Sequence, residues 1–276
     1  MASSSSTAAL AAPIDATALG DALAALRAAP PLVQCLTNVV VSQWTANVLL
    51  AVGAAPAMVD NPHEAGGFAS ISSAVLVNLG TPFDDTAAAM FAAVASAGEA
   101  GVPWVLDPVA AGVMKWRTTL AHDLISANAP SIIRGNASEI LALAGGAGGK
   151  GVDSVHAAED AVEAAKSLAR QLGTVVAVSG AIDHLTDGDR VLRLENGHPL
   201  MTQVTGVGCA LGALMAAFAG VVKDPLLAAA AATAVLTVAA DEAASHSRGP
   251  GSFAVGLLDE LSTLTAHHVI ERVRIS

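Results

Sequence analysis

Basic residues are scarce in this chain. Lys and Arg number 13 against 24 Asp and Glu, a formal net charge of −11, and they form no basic run. Nothing therefore supplies the phosphate-neutralising footprint of a nucleic-acid-binding surface, and an anionic nucleotide would need a local positive site. Cysteine is nearly absent as well. Cys35 and Cys209 stand far apart with no ligand spacing around them, which suggests neither a disulfide framework nor a zinc site and makes a reducing compartment, the cytoplasm, the expected home. The N-terminus lacks the basic residues and apolar core of a secretory signal, and its first arginine is Arg27. Residues 1–18 read as a disordered tail ahead of a single domain over residues 19–276. The longest apolar runs, 210–222 and 226–240, are divided by Lys223-Asp224-Pro225. Each is shorter than the roughly 20 residues of a membrane span, so they read as buried helices and no membrane is expected.

What is present suits a globular enzyme. The 276 residues are 53% hydrophobic and 13% charged, enough to bury one full core. Alanine inflates the hydrophobic count and aromatics are only 3%, so a small-residue, closely packed core is expected. Short β-rich apolar runs alternate with longer helical ones, the pattern of a three-layer α/β domain with a mostly parallel sheet and helices on both faces. Candidate strands cover residues 32–36, 57–59, 74–77, 104–106, 132–133 and 175–178; candidate helices include 44–51, 86–97, 157–172 and the two apolar runs. Residues 185–194, with Asp187-Gly188-Asp189 at their centre, read as an antiparallel edge hairpin. The one low-complexity loop is 145–151.

Each candidate strand ends by delivering a polar or glycine-containing group: Thr37-Asn38, Asn78, Asp107-Pro108, Arg134-Gly135-Asn136 and Ser179-Gly180. In an open α/β sheet these carboxyl ends line one rim, where ligands bind. Any one of them alone is equally a cap or turn former. Arg134 suits a phosphate, with an ion pair to Glu139 as the alternative. Asp107 and Glu139 suit Mg²⁺ held through water, although Asp107 would equally cap the turn that follows it.

The most informative stretch is Val204-Thr205-Gly206-Val207-Gly208-Cys209, which runs into an apolar helix. Two glycines allow a tight turn whose N–H groups converge where the helix dipole favours an anion. A cysteine on that first turn is expected to have its thiolate favoured. The bland reading is a turn with a buried structural cysteine.

These pieces occur in an order and spacing that resemble the hydroxyethylthiazole kinase family of ribokinase-like kinases, from about Leu32 to Ile275. The matching pieces are Leu36-Thr37-Asn38 with Thr45-Ala46-Asn47, Gly53-Ala54-Ala55-Pro56-Ala57-Met58, Asn78-Leu79-Gly80-Thr81, Leu106-Asp107-Pro108-Val109, Arg134-Gly135-Asn136 with Ser138-Glu139, Glu195-Asn196-Gly197-His198, Val204–Cys209 and Gly249-Pro250-Gly251-Ser252-Phe253. The resemblance implies phosphorylation of the alcohol of 4-methyl-5-(2-hydroxyethyl)thiazole by ATP with Mg²⁺, in a homotrimer with sites at subunit interfaces. It implies that Met58 touches the thiazole, that Gly206 and Asn38 lie beside the substrate, and that Arg134 and Ser179 contact the nucleotide. Ser179 stands where the family usually has threonine. Asp107 and Glu139 match acidic residues near the phosphates and metal. Gly206, Val207, Gly208 and Cys209 form the catalytic turn, with cysteine where sugar kinases of the same fold carry an aspartate base.

Two departures stand out: a glycine-rich loop at Asn61–Phe68 where the family usually has an acidic helix, and Ala110 where a glycine is common. His63 and His198 read as structural, and His267-His268 as a surface pair. Another small-alcohol kinase of this fold, acting on a hydroxymethylpyrimidine or a sugar, and a non-catalytic binding paralogue are the competing readings.

Overall fold

The computed structural model describes residues 13–145 and 155–276. Chain order runs α1 (Ala16–Ala28), β1 (Leu32–Leu36), α2 (Ser42–Val52), β2 (Ala55–Ala57), α3 (Ala65–Ala69), β3 (Ala74–Asn78), α4 (Asp84–Ala100), β4 (Trp104–Asp107), α5 (Lys115–Ala127), β5 (Ile132–Asn136), α6 (Ala137–Leu143), α7 (Val155–Leu172), β6 (Val175–Ser179), β7 (Asp183–Thr186) and β8 (Val191–Leu194). A 3-10 turn at Pro199–Gln203 then leads to α8 (Val207–Ala219), α9 (Pro225–Ser245), α10 (Pro250–Thr263) and α11 (Ala266–Arg272).

Period-2 alternation along the strands divides the core into two layers. Ala74 and Leu76 of β3 point into the layer built with α1, α2, α8, α9 and α10, while Val75 and Val77 point into the layer built with α3 to α7. With apolar groups needed on both faces, β3 and β4 are wholly buried. The expected three-layer architecture is what forms. Among the described residues the sheet has eight strands in the order β2-β1-β3-β4-β5-β6-β7-β8. The first six are parallel, and β7 and β8 are the antiparallel edge hairpin.

Several boundaries move. The second strand lies at 55–57 rather than 57–59, because Ala55 pairs with Leu32 and Ala57 with Gln34. Met58 is thereby just past the strand. The first helix starts at Ala16, capped by the Asp15 carboxylate accepting from Ala18 N–H at 2.9 Å, so ordered structure begins inside the expected tail; residues before 13, and most of the 145–151 loop, lie outside the described residues. Glycines in the 61–68 stretch do not prevent a short helix, α3, from forming there. At 21 residues α9 is long and apolar enough to cross a membrane by composition, contrary to the shorter run expected, but 83% of its apolar window is buried inside the domain. Its core threonines remain satisfied, since Thr233 and Thr237 donate to the carbonyls of Ala229 and Thr233 at 2.9 and 2.8 Å.

One non-glycine residue among those described has a positive φ: Ala110, at 64°. Left-handed backbone costs an L-residue about 1–2 kcal/mol, part of which glycine's greater unfolded-state freedom would cancel. Ala110→Gly is therefore expected to stabilise the protein by about 0.5–1 kcal/mol, read as a higher urea midpoint. A midpoint unchanged or lowered would mean that the turn draws no strain from this residue.

Candidate active site

The rim at the carboxyl ends of the parallel strands carries a continuous line of polar side chains. Asn38, just beyond β1, donates from Nδ2 to Asn78 Oδ1 at 2.9 Å. Asn78 donates from Nδ2 to Asp107 Oδ2 at 2.7 Å. Arg134 Nη1 lies 3.6 Å from Asp107 Oδ1, and Arg134 Nε donates to Ser179 Oγ at 3.1 Å. Register explains the order. Asn78 and Asp107 are Cα partners in the β3–β4 pair, Arg134 follows the Leu106–Ile133 pair, and Ser179 is the partner of Asn136.

Asn78 read from the sequence only as a strand-end residue, yet it is the link between the two halves of the line. Its Oδ1 also accepts from Gly80 N–H at 3.0 Å, which fixes the amide orientation and leaves Nδ2 aimed at Asp107.

Arg134 pairs with Asp107, and the alternative pairing with Glu139 does not form. Glu139 instead completes the capping box of α6: its Oε2 accepts from Asn136 N–H while Asn136 Oδ1 accepts from Glu139 N–H, both at 2.9 Å. Its Oε1 accepts from Ala110 N–H at 2.9 Å, holding the strained turn. Nor does the Asp107 carboxylate cap the following turn, since one oxygen meets Asn78 and the other, Oδ1, has no hydrogen-bond partner. Loss of hydration in this fully buried position outweighs the pull of Arg134 and pushes the Asp107 carboxyl up to about 7, with Glu139 adding to the rise.

The glycine turn meets this line from above. Gly206, at φ 90°, caps α8 without any side-chain partner. A Cβ there would come within 2.7 Å of Val41 Cγ1 and 2.9 Å of Trp44 Cδ1, so the position needs glycine both for its backbone and for the space. The first intrahelical bond of α8 runs from Ala210 N–H to Gly206 C=O. The N–H groups of Val207, Gly208 and Cys209 have no protein acceptor among the described residues. Three free donors and a helix dipole thus converge beside Arg134, whose guanidinium nitrogens lie 3.0 and 3.1 Å from where a Gly208 Cβ would be.

Cys209 departs from expectation. Burial pushes its thiol up and the neighbouring Asp107 adds to the rise, outweighing Asn78, Arg134 and Asn38. The thiol rather than the thiolate is favoured, and Sγ accepts from Asn38 Nδ2 at 3.5 Å. Met58 is half-buried and packs against the same core cluster as Trp44 and Val204. His198 caps the 3-10 turn, its Nδ1 accepting from Leu200 N–H at 3.2 Å; His63, His267 and His268 are exposed.

A cavity of about 700 Å³ opens from Arg134, Ser179 and Gly208 toward Asn196, Met201 and Thr237. Its far wall is braced by distant segments. Asn196 Nδ2 donates to Asp241 Oδ2 and to Arg272 C=O, Asn196 Oδ1 accepts from Arg274 N–H, and Gly197 N–H donates to Asp241 Oδ1. Asp183, which the sequence did not single out, also lines the cavity. Its Oδ1 accepts from Gly180 N–H at 3.0 Å, and burial pushes its carboxyl up to about 6 against that bond and Arg134. Among the described residues no cluster of three or more His, Cys, Asp or Glu could hold a metal.

Both raised carboxyls bind a proton more tightly in the folded chain than at the ordinary aspartate value of about 3.9. The stability they contribute is full below about pH 4 and is lost as pH rises through about 6 for Asp183 and about 7 for Asp107. Asp183→Asn keeps the bond to Gly180 and removes one of these titrations. Urea midpoints measured from pH 4 to 8 should fall less steeply in that variant; parallel curves would disprove the assignment.

The architecture extends beyond close relatives. The solved pyridoxal kinase of Staphylococcus aureus, 16% identical, superposes with a TM-score of 0.57 over 78% of this chain and 89% of its own, a likeness of fold. The hydroxyethylthiazole kinase structure from Pyrococcus horikoshii superposes with a TM-score of 0.87 at 36% identity, covering 94% of this chain and 98% of that one. The hydroxyethylthiazole kinase of Clavibacter sepedonicus is 58% identical over 257 residues, 93% of each chain. Because the model of the hydroxyethylthiazole kinase family also matches residues 23–267, a span that contains the whole strand-end line and the glycine turn, the chain belongs to that family.

Proposed function

We propose that this protein transfers the γ-phosphoryl group of ATP to the side-chain alcohol of 4-methyl-5-(2-hydroxyethyl)thiazole, as the thiazole-salvage step of thiamine synthesis. The observation that carries the reading is the trio of unpartnered N–H groups at Val207, Gly208 and Cys209 beside the Arg134 guanidinium. Such a constellation suits a loose phosphoryl-transfer transition state, in which charge spreads over three equatorial oxygens and catalysis is chiefly positioning and electrostatics.

In this scheme the triphosphate lies along Arg134 and Ser179 with its base in the adjoining cavity, and the alcohol approaches from the Asn38, Met58 and Gly206 side. Oxygen attack on the γ-phosphorus breaks the bond to the β-phosphate oxygen, which leaves with ADP. The alcohol loses its proton late, to a phosphoryl oxygen of the new ester. Cys209, held as a thiol and bonded to Asn38, orients the alcohol rather than acting as a strong base. Mg²⁺ would neutralise phosphate charge here. Asp107, buried with its Oδ1 3.6 Å from Arg134 Nη1, and Glu139, with both oxygens on backbone N–H groups, suit contact through water. Exposed Val39 and Val40 next to Asn38 support a homotrimer in which a second subunit covers the acceptor side, and the reducing-compartment composition supports a cytoplasmic enzyme.

Supplying Mg-ATP with hydroxyethylthiazole, a hydroxymethylpyrimidine or ribose should give a phosphate ester, by mass spectrometry, with the thiazole alone; thiazole binding without ester would defeat the kinase reading. The backbone should matter more than the thiol. Gly208→Ala, whose methyl displaces Arg134 and crowds the anion, should lower kcat/KM by about 10²-fold or more, the scale of a lost aimed donor. Cys209→Ser should stay within about tenfold, short of the 10²–10⁴-fold typical of a lost general base. The reverse ranking would mean that Cys209 is the base.

A further inference from the structure

Gln34 sits in the middle of β1, wholly buried, on the face it shares with Leu36. An amide has no place in that apolar layer unless its donors are used. Both are: Nε2 donates to the carbonyl of Val59 at 2.9 Å and to that of Ala65 at 3.1 Å. These two carbonyls bracket residues 60–64, with Met58 directly before Val59 and Ala65 at the start of α3. Between them the described hydrogen bonds are local, from His63 N–H to Asn61 Oδ1 and from the Glu64 and Ala65 N–H groups to Asn61 C=O. Beyond the end of β2, therefore, Gln34 is the hydrogen-bonding tether between this segment and the sheet among the described residues.

We infer that Gln34 is a positioning residue for the acceptor alcohol: by clasping the carbonyls of Val59 and Ala65 it holds the Met58–Glu64 segment, and Met58 with it, in register with the end of β1 where Asn38 stands. The inference rests on the reading of Met58 as a thiazole contact. Gln34 is four residues before Asn38, roughly 13 Å along an extended strand, so it acts through the segment and touches neither the reacting atoms nor the nucleotide.

Gln34→Met keeps the shape of the side chain and removes both donors. In that variant KM for the thiazole alcohol should rise about tenfold while kcat and KM for ATP stay within twofold, and the amides of residues 59–65 should exchange with deuterium at least tenfold faster. An unchanged thiazole KM, an equal rise in the KM for ATP, or unchanged exchange would each overturn the proposal. Gln34→Leu, which also lacks the donors, provides the same readout if the methionine variant does not fold. Met58→Ala tests the underlying reading separately: an unchanged thiazole KM there removes Met58 from the site, whereas the exchange of residues 59–65 in the Gln34 variants reports the clasp by itself.

Discussion

A buried line of side chains, from Asn38 through Asn78, Asp107 and Arg134 to Ser179, ties together the ends of five neighbouring parallel strands. Everything else at the rim is placed relative to it. Asp107 sits at its centre with no exposure, its hydration exchanged for one amide bond and a nearby guanidinium at 3.6 Å. A buried charge so incompletely compensated holds its proton more tightly than usual, and once ionised it adds to the rise that burial imposes on the thiol of Cys209. The Asn38 end and the Arg134 end of the line thus share one electrostatic unit, so that a change at Asn78 would be felt at both.

Helix α8 turns this line into a site. A short helix entry with no capping side chain leaves donors that water or an anion must satisfy. At α1 and α6 one such donor is satisfied internally, by Asp15 and by Asn136. At Gly206 the bare backbone is aimed at the rim beside the longest cation in it. The two acids differ in the same way: Glu139 accepts from backbone N–H groups with both oxygens, whereas Asp107 Oδ1 accepts no hydrogen bond and faces Arg134.

Much of the fold was legible because the sheet is buried on both faces. Apolar runs such as Ala74–Val77 have no other use, and the polar residue that ends each run marks the rim. The glycine turn was legible because Gly206 and Gly208 restrict what the backbone there can do. What stayed hidden depended on burial and orientation, which spacing does not carry. Asn78 looked like any turn former until its two amide ends were seen to meet Asn38 and Asp107. The helix dipole suggested a favoured thiolate at Cys209, but desolvation and the Asp107 carboxylate reverse the sign. Glu139 was the acid near Arg134 in sequence, and only the strand register brings Asp107 to it instead. Asp183 gave no signal at all, because its relation to Gly180 belongs to one loop's conformation.

The cavity beside Arg134 is walled by parts of the chain that are remote from one another: the end of β6, the stretch around Asn196, and helix α9 through Leu236 and Thr237, with Asn196 itself braced by Asp241, Arg272 and Arg274, the last of them 78 positions away. Contacts of such sequence separation form only once the intervening chain has been ordered. Local pieces of the domain would hold a Gly-rich turn but no cavity behind it. Occupancy of the cavity by any ligand would therefore report completion of the entire fold, and a ligand bound there would draw the folding equilibrium of the whole domain, not of one subregion, toward the native state.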